Sequence, residues 1–156
     1  MKTLPLIFAT LALSATIAVA ETNPRWIRQN SISPDGQKIA FVYQGDIFIV
    51  SSEGGQAMQL TTNEAHDTEP IWSPDGKYIV FASYREGSKD IWAMPSKGGT
   101  PYRLSDFGGR ETPFTISPQG KLYFGANIQE DLKSSVFPGD NKLYSIDFQK
   151  SLDAAM

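Results

Sequence analysis

The chain of 156 residues contains no cysteine and only 1 histidine. The first absence excludes disulfides, thiolate nucleophiles and sulfur-held zinc. The second removes most imidazole chemistry. A catalytic metal site usually draws about three protein ligands, commonly with more than one histidine, and His66 stands alone. An excess of positive charge is missing too: 14 Lys and Arg face 17 Asp and Glu, so nothing is available to displace counterions from a nucleic acid. There is no Gly-x-Ser-x-Gly elbow. The pairs Gly54-Gly55, Gly98-Gly99 and Gly108-Gly109 fit neither a dinucleotide fingerprint nor a phosphate loop. No catalytic residue, metal or cofactor is expected.

Long apolar runs are confined to the start. Lys2 precedes an almost unbroken apolar stretch over residues 4–19, and Ala18-Val19-Ala20 has the small-x-small form that a signal peptidase accepts. Residues 1–20 therefore read as a signal peptide cut after Ala20. The alternative, an uncleaved anchor, requires about 20 apolar residues, more than this stretch offers. The missing cysteine excludes a lipoprotein, so the expected destination is the periplasm, with no stable membrane insertion once the leader is gone. Loss of Lys2 leaves 13 basic against 17 acidic side chains, a net charge of −4.

Turn signals, by contrast, are abundant and regularly spaced. Ser33-Pro34-Asp35-Gly36, Ser73-Pro74-Asp75-Gly76 and Ser117-Pro118-Gln119-Gly120 begin 40 and then 44 residues apart. Proline presets φ at the second position, and glycine accepts positive φ at the last. An alternating apolar strand follows each turn, at 38–43, 78–83 and 121–124. A third strand starts at Asp46 and again at Asp90, and a Gly-Gly turn then leads into a fourth at 57–61 and 102–105. A period of roughly 40 residues holding four short strands marks a β-propeller blade. Apolar residues occupy both faces of these strands, as in a sheet stacked between two neighbours.

The expected fold class is all-β: a partial β-propeller of about three four-stranded antiparallel blades, the third incomplete, behind a signal peptide. The divisions are 1–20 signal peptide, 21–29 lead-in, 30–66 blade 1, 67–110 blade 2 and 111–156 incomplete blade 3. In the last unit a polar excursion over 129–141 delays the strand at 142–146, and no Gly-Gly turn or fourth strand follows. Propellers typically close with four to eight blades. The chain is therefore expected to be the amino-terminal piece of a longer protein. A ring built from several copies is the alternative, and it needs a matched interface at both ends.

Most polar candidates read as structural. Ser33, Ser73 and Ser117 start turns that their hydroxyls cap. Asp67, three positions before Pro70, is expected to accept backbone N–H groups and fix the crossing between blades. Asp46 and Asp90 are expected to begin the third strands with hydrogen bonds, since two acids on separate blades make a poor calcium site. Trp26, Trp72 and Trp92 read as blade packing. Arg85-Glu86 and the group Arg103, Arg110 and Glu111 are expected on exposed loops, where the guanidinium groups of Arg85, Arg103 and Arg110 are natural clamps for peptide carboxylates.

The pattern Ser-Pro-Asp-Gly-(Lys/Gln)-x-Ile-(Ala/Val)-Phe, then Asp-Ile-(Phe/Trp), then Gly-Gly-x-x-x-x-Leu-(Thr/Ser) resembles the WD-like Pro-Asp repeat of TolB-type propellers. The resemblance runs from Asn30 to Phe148. A narrower one is to the amino-terminal propeller of tricorn-like serine peptidases, carried by Trp26-Ile27-Arg28, Gly45-Asp46-Ile47-Phe48, the 65–70 loop leading into Ile71-Trp72-Ser73, and Phe137-Pro138 ahead of Leu143-Tyr144-Ser145. In that family the catalytic serine and histidine lie in a carboxy-terminal region, after a second propeller and a PDZ-type domain. The resemblance thus carries over no catalytic residue. It implies a propeller that guides peptides toward a protease core, or forms the shell around it.

The other readings are a TolB-like module that docks envelope proteins and an enzyme with its active site inside the propeller, as in some polysaccharide lyases. A first blade that follows the leader directly favours the peptidase reading over TolB, which has an α/β domain first. The lone histidine argues against the lyase type. Expected partners are peptides or envelope proteins and the remainder of the same polypeptide. Residues 21–156 produced alone are expected to self-associate through a bare apolar face and strand edge; a sedimenting monomer with one sharp unfolding transition contradicts this.

Overall fold

The structure is a computed structural model and describes residues 26–127 and 141–156. The leader and the Phe137-Pro138 step lie outside the described residues. Blade 1 is a meander of β1 (Arg28–Ile32), β2 (Lys38–Tyr43), β3 (Asp46–Ser51) and β4 (Met58–Gln59), hydrogen-bonded in that order. Blade 2 repeats it with β5 (Asp67–Trp72), β6 (Tyr78–Ser83), β7 (Asp90–Pro95) and β8 (Tyr102–Arg103). Blade 3 consists of β9 (Glu111–Ile116), β10 (Lys121–Ala126) and β11 (Lys142–Asp147). Every pairing between these strands is antiparallel. The expected all-β partial propeller is therefore present, with the third blade one strand short. The first strand begins at Arg28, inside the segment read as lead-in. The outer strands are shorter than the sequence implies, because β3 meets β4 only at Phe48↔Gln59 and Ile49↔Met58.

The repeated turn is a small hydrogen-bonded device. In blade 1 the Gly36 N–H donates to Ser33 O at 2.8 Å, and the Ser33 hydroxyl donates to Asp35 Oδ1 at 2.5 Å while accepting from the Lys38 N–H at 2.9 Å. Blade 2 reproduces this with Gly76, Ser73, Asp75 and Tyr78 at 2.9, 2.6 and 2.9 Å. The Ser33 hydroxyl, with the Gln37 N–H, holds Asp35 below the usual carboxylate range. Burial works against Asp75, but the Ser73 hydroxyl and the Lys77 N–H outweigh it and leave that carboxyl lowered too. In blade 3 Gln119 replaces the acid. The turn keeps the Gly120 N–H to Ser117 O at 2.9 Å, and the Lys121 N–H still reaches the Ser117 hydroxyl at a longer 3.2 Å.

Strand periodicity sorts the core into two layers. Ile79 and Phe81 of β6, with Trp92 and Met94 of β7, face blade 1 and meet Ala40, Val42, Ile47 and Ile49. The intervening residues Val80, Ile91 and Ala93 face blade 3 and meet Ile116, Leu122, Phe124 and Ala126. Side chains of a strand alternate between faces, so the same two strands feed both layers. Trp72 and Trp92 are buried there, as expected, and the Trp72 Nε1–H donates to Ser31 O of blade 1 at 3.0 Å. Trp26 departs from the packing reading. It is 74% exposed, with the Arg28 guanidinium 5.4 Å from its ring centroid.

The chain does not simply stop after β11. It turns into a helix, α1 (Phe148–Ala155), capped by the Asp147 carboxylate, which accepts from the Lys150 N–H at 3.0 Å. Phe148 and Leu152, four apart and hence on one helix face, are buried in the layer between blades 2 and 3. Phe148 meets Tyr78 edge to face at 5.9 Å, and its N–H donates to Gly120 O at 2.9 Å. This helix, which meets β8 and β11, adds to the layer between blades 2 and 3, and Leu143 on β11 stays 67% exposed. Truncating Leu152, which is fully buried, to alanine should cost about 2–5 kcal/mol, enough to undock so short a helix. Trypsin cleavage at Lys150 should then accelerate, whereas Met156→Ala, at a residue 70% exposed, leaves it unchanged.

Candidate functional site

The strands β1, β5 and β9 lie side by side at the inner edge of the fan, where the blades converge. All three are bulged. Pairing breaks between Arg28 and Ser31 in β1 and between Thr68 and Ile71 in β5, and in β9 it skips Phe114. Gln29 and Glu69, at the same repeat position, hold left-handed φ of 48° and 56°. The equivalent position in β9 is Pro113, whose ring forbids that conformation. The two left-handed residues are tied together, since the Glu69 N–H donates to Gln29 Oε1 at 3.2 Å. Pro70 and Pro113 carry no N–H at all. Bulges and prolines are how proteins blunt an exposed strand edge. A chain running along this inner wall would therefore meet side chains more than ladder hydrogen bonds.

The far end of the sheets, opposite the Ser-Pro turns, gathers the charged groups. Each blade junction holds two carboxylates from neighbouring blades: Asp46 with Asp67, and Asp90 with Glu111. Each pair has one guanidinium. Arg85 Nη2 reaches both oxygens of Asp67 at 2.9 and 2.8 Å, and its Nε–H donates to Ser83 at 3.0 Å. The same guanidinium lies 5.3 Å over Phe81 and 4.9 Å over Trp92. Arg103 Nη2 lies 2.7 Å from Asp90 and 2.8 Å from Asp106, while Nη1 meets Glu86 at 2.9 Å. The sequence reading of Asp67 as an acceptor of backbone N–H groups is corrected here. Its carboxylate is fully buried and neutralised by Arg85, and the crossing is fixed instead by its own N–H donating to Gly45 O at 2.8 Å.

Among the described residues, the acid without an ion pair differs between the junctions. Asp46 starts β3, as expected, and accepts from Gln59 at 2.9 Å and Thr61 at 3.3 Å. Burial, reinforced by the charge of Asp67, raises its carboxyl above the ordinary value. Glu111 accepts from the Ser105 hydroxyl at 2.5 Å, and the backbone N–H groups of Gly109 and Phe107 also act on its carboxylate. Burial and the charge of Asp90 push it upward as well.

The three arginines thus divide, and Arg103 lies on β8, paired with Trp92, not on a loop as expected. Arg85 and Arg103 are engaged in pairs within the fold, whereas Arg110 is exposed and its guanidinium has no ion pair among the described residues. Its backbone is firmly held: the Arg110 N–H donates to Asn127 Oδ1 at 2.7 Å, and a parallel bridge joins it to Lys89. Arg110 lines a cleft of about 370 Å³ with Tyr84, Ser88, Lys89 and Asn127. Lys89 points inward from this cleft, its Nζ 2.6 Å from Glu69 and 3.1 Å from Thr112. His66 takes no part. Its ring fills the space beside Gly45, where an added Cβ would lie 2.5 Å from Nδ1. No group of three or more His, Cys, Asp or Glu able to hold a metal occurs among the described residues. The sequence reading passed over Lys89, and its placing of Glu111 on an exposed loop is corrected: the residue is fully buried at the start of β9, 44 residues after Asp67, the same interval that separates Asp46 from Asp90.

Residues 24–154 match the family model described as the tricorn protease N-terminal beta propeller domain. The uncharacterized peptidase YuxL of Bacillus subtilis is 30% identical over 117 residues, which is 68% of this chain and 17% of YuxL. Tricorn protease homolog 1 of Streptomyces coelicolor is 29% identical over 79 residues, 51% of this chain and 7% of the homolog. The putative TolB of Agrobacterium tumefaciens superposes with a TM-score of 0.68 at 26% identity, covering 81% of this chain and 47% of that one. The chain therefore spans less than a fifth of the two peptidase relatives it matches. The blades, their turns and the match across nearly all of the described residues together make this chain a member of the tricorn protease N-terminal β-propeller family.

Proposed function

We propose that the chain is a non-catalytic wall of an exported tricorn-like peptidase, guiding peptides toward a protease core elsewhere in the parent polypeptide or forming the shell around it. The observation that carries this reading is the division of the three arginines. Two are consumed by buried carboxylates, and Arg110 remains exposed on an anchored backbone, at a cleft lined by no acidic side chain among the described residues. A guanidinium so held suits a peptide carboxylate, which it can grip with two parallel hydrogen bonds. The blunted inner edge supports passage over retention, because a peptide there finds few main-chain partners to pair with.

The finer location we infer is the periplasm. The leader-like residues 1–20 and the likeness to TolB both support an envelope site. The second reading, a TolB-like propeller that binds other envelope proteins, is favoured by that same likeness.

One pair of substitutions in the parent protein tests the assignment. Arg110→Ala should leave stability within about 0.5 kcal/mol, as exposed sites do. It should weaken binding of a labelled peptide with a free C-terminal carboxylate about tenfold or more, and leave the C-terminal amide of the same peptide unaffected. Arg85→Ala should do the reverse. It strands Asp67 in the interior at a cost of about 3–5 kcal/mol, read from urea denaturation. Fluorescence anisotropy giving equal affinity for acid and amide in the unsubstituted protein sinks the peptide reading and favours the docking module.

A further inference from the structure

The two junctions correspond residue for residue. Gly45 and Lys89 each precede a third strand, and their carbonyls accept the N–H groups of Asp67 and Glu111, both at 2.8 Å. His66 and Arg110 stand just before those two acids, at the same interval of 44. At the first junction the His66 ring lies on Gly45, where a Cβ would fall 2.5 Å from Nδ1, closer than a side-chain carbon can sit. At the second junction that Cβ exists, because residue 89 is a lysine. The Arg110 side chain therefore has no such resting place and stands exposed at the cleft. Lys89 itself turns to the inner edge, its Nζ 2.6 Å from Glu69 Oε2 and 3.1 Å from Thr112 Oγ1. Residues two apart in an extended chain share a face, so Thr112 places Glu69 on the side of Arg110.

We propose that Lys89 is a positioning residue for Arg110: its Cβ closes the place that His66 finds on Gly45, and its ammonium engages Glu69, which would otherwise draw the Arg110 guanidinium inward. The ammonium also repels a guanidinium that bends toward it. Both effects leave Arg110 free for an anion from outside. The role depends on the carboxylate-gripping reading of Arg110 for its use, although the geometry stands without it. Blade 1, with Gly45 and His66 at these positions, presents no such cation.

The test reads Arg110 directly in the intact chain. Phenylglyoxal adds to accessible guanidinium groups, and mass spectrometry of the digest gives the rate at Arg110 relative to Arg28, exposed on β1. Lys89→Gly and Lys89→Met should each slow that relative rate about fivefold, the upper range for a partly exposed ion pair. Lys89→Arg should preserve it, and adding Glu69→Gln to Lys89→Met should restore it. If Lys89→Gly does not fold, Lys89→Met with and without Glu69→Gln decides. Equal relative rates in the unsubstituted chain and in Lys89→Met overturn the positioning role. Peptide binding is a separate readout: Lys89→Met should weaken the free-acid peptide and spare its amide. Equal binding of acid and amide by the unsubstituted protein sinks the carboxylate reading, while the phenylglyoxal rates still judge what Lys89 does.

Discussion

A sheet with apolar side chains on both faces cannot stand alone in water. Blade 2 is such a sheet. Ile79 and Phe81 project to one side, Val80 and Ile91 to the other, and all four are fully buried. Burying one such side chain is worth about 1.5–3 kcal/mol, so each stacked layer is a large favourable term and each uncovered one a liability. Stacking also dictates where polar groups can go. With both faces occupied, charge is left to the strand ends, and hydroxyls and carboxylates collect there, at the Ser-Pro turns on one side and at the acid–guanidinium junctions on the other.

Those junctions show how a repeat can diverge while its core stays constant. Asp46 and Asp90 occupy one position, and Gln59 and Arg103 occupy the position across from each. Thr61 and Ser105 likewise supply matching hydroxyls to the N–H groups of Ile47 and Ile91, both at 2.9 Å. The hydroxyl bond is retained, and only the charge of the partner changes. One neutral amide in place of a guanidinium decides which carboxylate of each pair is left without an ion pair.

The blades were legible because turns that need proline and glycine at set places cannot be hidden by packing. The registers of β2 with β3 and of β6 with β7 run unbroken, as two-residue and six-residue reversals between alternating strands imply. The helix α1 was not legible. It offers only Phe148 and Leu152 at helical spacing, and eight residues are too few for a periodicity to stand out. The role of Asp67 was missed for a different reason. Its partner Arg85 follows by 18 residues, and the two meet because Asp67 pairs with Ser83 across the sheet, a register no local motif announces. Trp26 was misread because aromatic identity alone cannot say whether a neighbouring strand is there to receive it.

The hairpin between β2 and β3 turns on Gln44 and Gly45, and its counterpart in blade 2 runs through Tyr84–Lys89. That difference in length brings Arg85, Glu86 and Lys89 into the molecule, and each of them forms an ion pair with another part of the chain. Blade 1 has only a glycine with the His66 imidazole resting against it. Lengthening or shortening a single surface reversal can therefore rewire the electrostatics of a whole wedge of the ring. Evolution can retune how neighbouring wedges grip one another without disturbing a methyl group of the interior.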